Sequence, residues 1–336
     1  MLLNKFRDQY LDFLLHFLWD EWTVLGVAGQ ARRPVGHVID PEALVMFTCT
    51  LGRYDQRLFD EVLDWLMVNG RFLSVQRMRN VMRQEGLGDD NVLRAMADWL
   101  FQHDSPAKWK LLAANGTPEK TRQSLFFFPD GRPMPKSVKQ DPVFLKHGLE
   151  RNPVVLRGYS RTFDDDALPC FLLKLRALFG VNTRCDVLAY LTMNRSGYPS
   201  EIAREMYYSQ KAIHETLTEL AASGFLHSAR TGRERTFRIS SSGLVFLGGD
   251  QDMKWINWPL LLSVAETVWK KIEGLRAADF GPLVESSEIT LALRPLFERL
   301  VKSSWAPAMP DFEKIRGVAA LYLFLDVFQA VVTKAE

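Results

Sequence analysis

The sequence predicts a mainly α, multi-domain protein with one small β element near its centre. Apolar residues recur at helical spacing from residue 1 to about 104 and again after Gly249, whereas alternation of period two bounded by turn residues is confined to about 226–239. A chain of 336 residues exceeds one ordinary domain, and with 47% hydrophobic and 24% charged residues and no low-complexity tract it has the material for buried cores. The predicted organisation is an N-terminal helical domain (1–104), a largely irregular connector (105–165), a central domain (166–250) and a C-terminal helical domain (251–336).

The N-terminal stretch MLLNKFRDQYLDFLLHFLWDEW carries Asp8, Asp12, Asp20 and Glu21 at intervals that a signal-peptide core would not tolerate, so it reads as an amphipathic helix. That helix ends near Gly26 and Gly29. Asp40-Pro41 then supplies an N-cap followed by proline at the first helical position. DQRLFDEVLDWLMVNG sets Leu58, Val62, Trp65 and Leu66 on one face. SVQRMRNVMRQEG turns Val75, Met78, Val81 and Met82 inward and leaves Gln76, Arg77, Arg79, Asn80 and Arg83 outward. In the connector, SPAKWK, NGTPEK and PDGRPMPKS are rich in proline, glycine and small polar residues, with LFFF and PVVLRGYS as short extended pieces. Asp164-Asp165-Asp166 could suggest a cation site, but its place before ALPCFLLKLRALFG favours a helix cap at Asp166 or its neighbour.

The central region is the one stretch whose parts fit a single mechanism. TRCDVLAYLTMN is a first helix; Pro199 and Ser200 open a short one with Ile202, Ala203 and Met206 inward; a turn at Tyr207-Tyr208 leads to Ser209 as N-cap. The helix that follows stacks Ile213, Leu217, Leu220 and Ala221, points Gln210, Lys211, His214, Glu215 and Thr218 away from the core, and stops at Gly224. FLHSARTGRERTFRIS then reads as two antiparallel strands around Thr231-Gly232, with Phe237 and Ile239 inward and Arg238 outward. Helix, short helix, turn, helix and two-stranded ribbon is the order of a winged helix-turn-helix, so the predicted fold is a central winged helix-turn-helix with a small two-stranded β-wing, flanked by helical domains.

The run PSEIAREMYYSQKAIHETLTELAASGFLHSARTGRERTFRISSSG resembles the DNA-binding module of the MarR-type and ArsR-type bacterial transcriptional regulators, over about residues 180–245. By position the resemblance implies that Ser209, Gln210, Lys211, His214 and Thr218 form a recognition helix in the major groove, and that Arg230, Arg233 and Arg235 form a wing on phosphate or the minor groove. The rest of the chain departs from those families, whose members are much shorter.

Net charge is only +2 and the isoelectric point about 8.4, so any grip on DNA must be local. The ribbon supplies such a patch: four arginines against Glu234. Arg77, Arg79 and Arg83 offer a possible second DNA contact. His214 and His227 have no cysteine or acid at metal-ligand spacing, and Cys49, Cys170 and Cys185 fit neither a zinc site nor a disulfide framework, so no metal and no cofactor are expected, and a reducing cytoplasm fits. There is no phosphate-cradling glycine loop, no HExxH and no GxSxG, which argues against an enzyme, and no catalytic residues are assigned.

After Gly249, three long helices are expected in WPLLLSVAETVWKKIEGL, SSEITLALRPLFERLVKSSW and EKIRGVAALYLFLDVFQAVV. Trp255, Trp258, Trp269 and Trp305 could line a ligand pocket but read better as core. The apolar last helix contains Asp326, is short for a membrane span, and is a natural homodimer surface that would pair two wings on a two-fold operator. The functional expectation is therefore a cytoplasmic, sequence-specific double-stranded DNA-binding protein, a transcriptional regulator acting as a homodimer, with no membrane and with room for a small-molecule effector. The alternative is a protein-interaction scaffold, antitoxin-like or defence-associated, that uses the winged fold for protein contacts.

Overall fold

The computed structural model describes residues 2–31, 35–103, 107–113, 121–135, 138–231, 234–248, 254–278, 280–303, 305 and 312–333. The chain is mainly helical, with a small antiparallel sheet. Its N-terminal helices are α1 (Leu2–Val24), α2 (Pro41–Leu51), α3 (Gln56–Asn69), α4 (Val75–Glu85) and α5 (Asp90–Gln102). Each start after the first is set by a side-chain cap: Asp40, Asp55, Ser74 and Asp89 accept from backbone N–H groups that the first turn leaves unpaired. Pro41 occupies the first turn of α2, as the Asp40-Pro41 pair predicts, and Gly86 ends α4 in the left-handed region at φ 66°.

The connector is more than a tether. It contains α6 (Lys108–Ala113), β1 (Gln123–Ser124), α7 (Pro142–Lys146) and β2 (Leu149–Glu150), with β1 and β2 pairing in parallel. Its Trp109, Leu125, Phe126, Phe144 and Leu149 belong to the main core, which is how a long irregular segment is tolerated in a packed body. Of the two expected extended pieces, LFFF adjoins β1 and makes a bridge from Phe127 to Pro133, whereas PVVLRGYS forms no strand. Instead Asp64 on α3 accepts the backbone N–H groups of Gly158, Tyr159 and Ser160 and fastens that loop.

The central segment runs α8 (Phe171–Phe179), α9 (Thr183–Asn194), β3 (Ser196–Gly197), α10 (Pro199–Met206), α11 (Gln210–Ala222), β4 (Leu226–Thr231), β5 (Glu234–Ile239) and α12 (Ser241–Leu247). The sheet order is β3-β5-β4, so the expected two-stranded ribbon has a third, two-residue strand along its edge. Asp166 caps nothing here: α8 begins through a 3-10 turn at Leu168–Cys170 with no side-chain cap, and Asp164 instead accepts the N–H of Asp166 in a local turn. The three exposed aspartates are the single cluster of metal-ligand type among the described residues.

The last three helices are α13 (Trp258–Ala278), α14 (Pro282–Val301) and α15 (Val318–Thr333). They do not build a core of their own, which corrects the expected separate C-terminal domain. Leu261, Val268, Ile272, Leu293, Phe324 and Phe328 join the same cluster as Phe6, Leu14, Phe17, Phe47 and Trp65, because α13 lies against α2 and α15 against α1. The expected dimer face on α15 is consumed within the chain: Phe328 meets Phe13 and Phe17 at ring separations of 5.3 Å each, and Phe324 meets Tyr10 at 6.4 Å. Trp258 and Trp269 are buried in this core, and Trp255 packs edge-on against Tyr190. No helix among the described residues is long and apolar enough to cross a membrane.

A second, smaller core holds Leu175, Val187, Leu191, Ile202, Ile213, Leu217, Phe237 and Ile239. The molecule therefore consists of one large helical body, contributed by both ends of the chain, and one small helix-and-ribbon unit packed against it.

Candidate nucleic-acid interface

The small unit is shaped by caps and turns. Asn182 caps α9, Pro199 opens α10, and Ser209 Oγ accepts from Ala212 N at 3.2 Å to start α11. Between α10 and α11 the chain turns through Tyr207, a non-glycine residue held at φ 63°. Ile213, Leu217 and Leu220 anchor α11 to the core, so the opposite side of the helix is presented outward. Ser209, Gln210, Lys211, His214 and Thr218 are all exposed, with the Lys211 side chain 87% accessible. No other part of the described chain covers this face.

Charge along α11 is graded. Lys211 lies in the first turn, where unpaired N–H groups and the helix dipole add positive potential, whereas Glu215 follows one turn later and Glu219 two turns later. Glu219 is engaged by Arg184 on α9, and Lys211 lies 4.0 Å from Glu215. The Thr218 hydroxyl donates to His214 O at 2.8 Å, so it retains only acceptor capacity for a ligand.

The hairpin register sorts the arginines. Arg230 lies directly opposite Arg235, and His227 opposite Arg238. Because side chains alternate across a strand, Arg230 and Arg235 share the face that carries Leu226, Phe237 and Ile239 into the core, but they extend beyond its edge into solvent. Arg238 and His227 occupy the other face. Arg235 is braced, with its guanidinium 5.1 Å from the Phe237 ring centroid and Nη2 donating to Ser228 Oγ at 2.7 Å. Neither Arg230 nor Arg235 pairs with a carboxylate among the described residues. Like charges directly opposite on a ladder repel by roughly 0.2–1 kcal/mol, so this pair is kept at a cost to the hairpin. Arg233 lies outside the described residues.

The expected second contact surface on α4 needs correction. Arg77 is 1% exposed and cannot reach a phosphate. Its guanidinium donates to Asp40 Oδ1 and Oδ2 at 2.9 and 2.6 Å, to Glu42 Oε2 at 3.2 Å and to Met206 O at 3.2 Å. The physical reason is that α4 is covered on two sides, by α2 and by the α10–α11 turn, so an amphipathic wheel with one buried stripe misplaces it. Arg79 and Arg83 are exposed as expected.

Arg77 belongs to a buried ionic network between body and small unit. Arg176 bridges Glu42 at 2.5 Å and Asp186 at 2.9 Å, and Tyr208 donates to Asp186 at 3.0 Å. Burial by itself would raise the Asp40 carboxyl, but the Arg77 charge and hydrogen bonds hold it below the usual aspartate value. Glu42, with no solvent exposure, is pushed up by burial despite its two guanidinium neighbours.

A second set of bonds fixes the turn itself. Asn80 on α4 donates to Tyr207 O at 2.9 Å, and the Tyr207 hydroxyl bridges Glu85 and Asn257 at 3.0 Å each. Asn257 in turn donates to Glu205 at 2.9 Å, and Arg299 on α14 reaches Glu85. Burial and the Glu85 carboxylate push the Tyr207 phenol well above its ordinary value, so it remains a neutral donor. The α10–α11 turn is thereby pinned to α4, to the start of α13 and, through Glu85, to α14. None of these partners was legible as a site in the sequence, since each contact joins residues at least fifty positions apart.

No protein-family model matches the chain, and comparisons with curated proteins and with solved structures return no significant match.

Proposed function

We propose that residues 183–247 act as a winged helix-turn-helix that reads double-stranded DNA, and that the protein is a cytoplasmic transcriptional regulator. The observation that carries this reading is the cross-strand pair Arg230 and Arg235, unpartnered by any described carboxylate, on a hairpin whose first strand packs against α11, the helix that exposes Gln210, Lys211 and His214. Phosphate oxygens are acceptors that relieve such a repulsive pair, and Gln210 and Lys211 carry the donor groups that suit base edges in a major groove. Arg79 and Arg83 add exposed positive charge on α4, the helix whose Asn80 holds Tyr207 at the α10–α11 turn.

Selection of bound duplexes from a random-sequence pool tests the reading. The wild type should enrich a motif, and Gln210→Ala should lose about 1–3 kcal/mol of discrimination at one or two positions of it while retaining non-specific affinity. Failure of the wild type to enrich any duplex would remove the claim of sequence specificity.

A protein-contact reading has one observation in its favour. Val245 and Phe246 on α12 are 80% and 65% exposed, and Phe246 packs edge-on against Phe225 beside the hairpin. This patch is also one apolar surface through which a second copy of the chain could place two hairpins on a two-fold operator. Val245→Ser with Phe246→Ser should lower the apparent mass in sedimentation if it does so; an unchanged mass would exclude the patch.

A further inference from the structure

A cleft of about 520 Å³ opens between α14, the 3-10 turn at Phe312–Lys314 and the start of α15, far in sequence from the residues assigned to DNA. Its size lies in the range that encloses small organic ligands. The floor is apolar, formed by Leu293, Phe297 and Phe312, of which the first two are buried. The rim is basic: Arg294 and Arg316 line it, and no carboxylate does among the described residues. Among the described residues Arg316 donates only to the carbonyl of Ile315, and Arg294 has a loose, exposed contact to Glu298 at 3.5 Å, so both guanidiniums can turn to a ligand. The hydroxyls of Ser286 and Ser287 make no hydrogen bond to the described chain, whereas Thr290 has its proton spent on Ser286 O and accepts from Gly317 N.

We propose that this cleft binds an amphipathic carboxylate, its hydrocarbon part on the Phe297–Phe312 floor and its carboxylate between Arg294 and Arg316. An apolar floor alone would take a neutral hydrocarbon, and a basic rim alone would take inorganic anions. The two together select a molecule with one anionic end. The ligand is an effector by virtue of where α14 leads. Five residues beyond Arg294 on that helix, Arg299 holds Glu85, and Glu85 accepts the Tyr207 hydroxyl at the α10–α11 turn. A ligand that repositions α14 therefore bears on the turn that orients α11. This second step rests on the DNA-reading assignment above; the binding step does not.

Calorimetric titration of the full chain with sodium octanoate, with octan-1-ol as the neutral control, tests the site. Octanoate should bind saturably at one per chain and at least tenfold more tightly than octanol, and Arg294→Gln with Arg316→Gln, both exposed positions, should erase that preference. Equal affinity for the two probes, no saturable octanoate binding, or an unaffected double variant would overturn the site. The effector step is read separately as duplex affinity with and without saturating octanoate: a change of at least threefold in the wild type, absent in Arg299→Gln, supports it. Octanoate binding with unchanged duplex affinity overturns the effector role but leaves the site. Octanoate binding with no duplex affinity at all overturns the DNA reading instead.

Discussion

Replacing Arg77 with methionine removes the guanidinium and keeps much of the side-chain volume, so the change is chiefly electrostatic. Asp40 then loses both of its bonds to Arg77 and keeps only its capping bond from Ala43 N at 3.0 Å, while Glu42 keeps Arg176. Breaking one side of a buried pair leaves an uncompensated charge and costs about 3–5 kcal/mol. For a protein of this size, with a urea dependence of roughly 3 kcal/mol per molar, the midpoint of tryptophan-monitored urea unfolding should fall by about 1 M or more. The pH dependence has a defined sign. In the wild type the lowered Asp40 value contributes stability that is present above the ordinary aspartate range, near 3.9, and is lost as pH falls through the depressed value. In the variant, burial without Arg77 raises Asp40, so protonation relieves it and the deficit relative to wild type should shrink as pH is lowered from 7 towards 5. A solvent-exposed Arg77 would behave like Arg79, whose replacement should change stability by no more than about 0.5 kcal/mol. A loss below about 1 kcal/mol in Arg77→Met, or one that grows on acidification from pH 7 to 5, would refute the buried network.

Other perturbations test neighbouring parts of the structure. Tyr207→Phe deletes the hydroxyl that bridges Glu85 and Asn257 and should cost about 1–2 kcal/mol in thermal unfolding; no change would mean that the bridge does not hold the turn. Asp98 is buried, which alone would raise its carboxyl, but Lys146 at 2.7 Å, His147 at 2.9 Å and Gln102 at 3.1 Å hold it below the ordinary value. Asp98→Asn should therefore destabilise at pH 7 by about 1 kcal/mol, and the difference from wild type should vanish as pH falls through the depressed Asp98 value; a difference that persists there would point to packing instead.

Local signals carried much of the fold. Asp40-Pro41, Ser74 and Ser209 are caps whose partners lie within three residues, so α2, α4 and α11 begin where the side chains say they must. Leu58, Val62, Trp65 and Leu66, like Ile213, Leu217 and Leu220, occupy the buried faces that their spacing indicates. What local signals could not convey is which elements meet. The periodicity of α15 announces an apolar face, but only the tertiary arrangement reveals that α1, and not a second chain, covers it. Arg77 is the sharper case: flanked by Gln76 and Asn80 it looks solvated, yet Asp40, Glu42 and Met206 surround it from segments about 35 and 129 residues away. On the candidate interface, exposure of Ser209, Gln210, Lys211, His214 and Thr218 follows from helix period alone, whereas the Arg230–Arg235 pairing needed the strand register, and β3 was too short to announce itself.

The grip on a DNA duplex proposed for the hairpin and α11 is read out by the salt dependence of duplex affinity. The wild type should bind with an observed constant that falls linearly in log–log form as salt rises, and Arg230→Ala with Arg235→Ala should flatten that slope by about one to two units while weakening every duplex alike. Duplex binding by the wild type that is absent or insensitive to salt, or a double variant with the slope of the wild type, would contradict it.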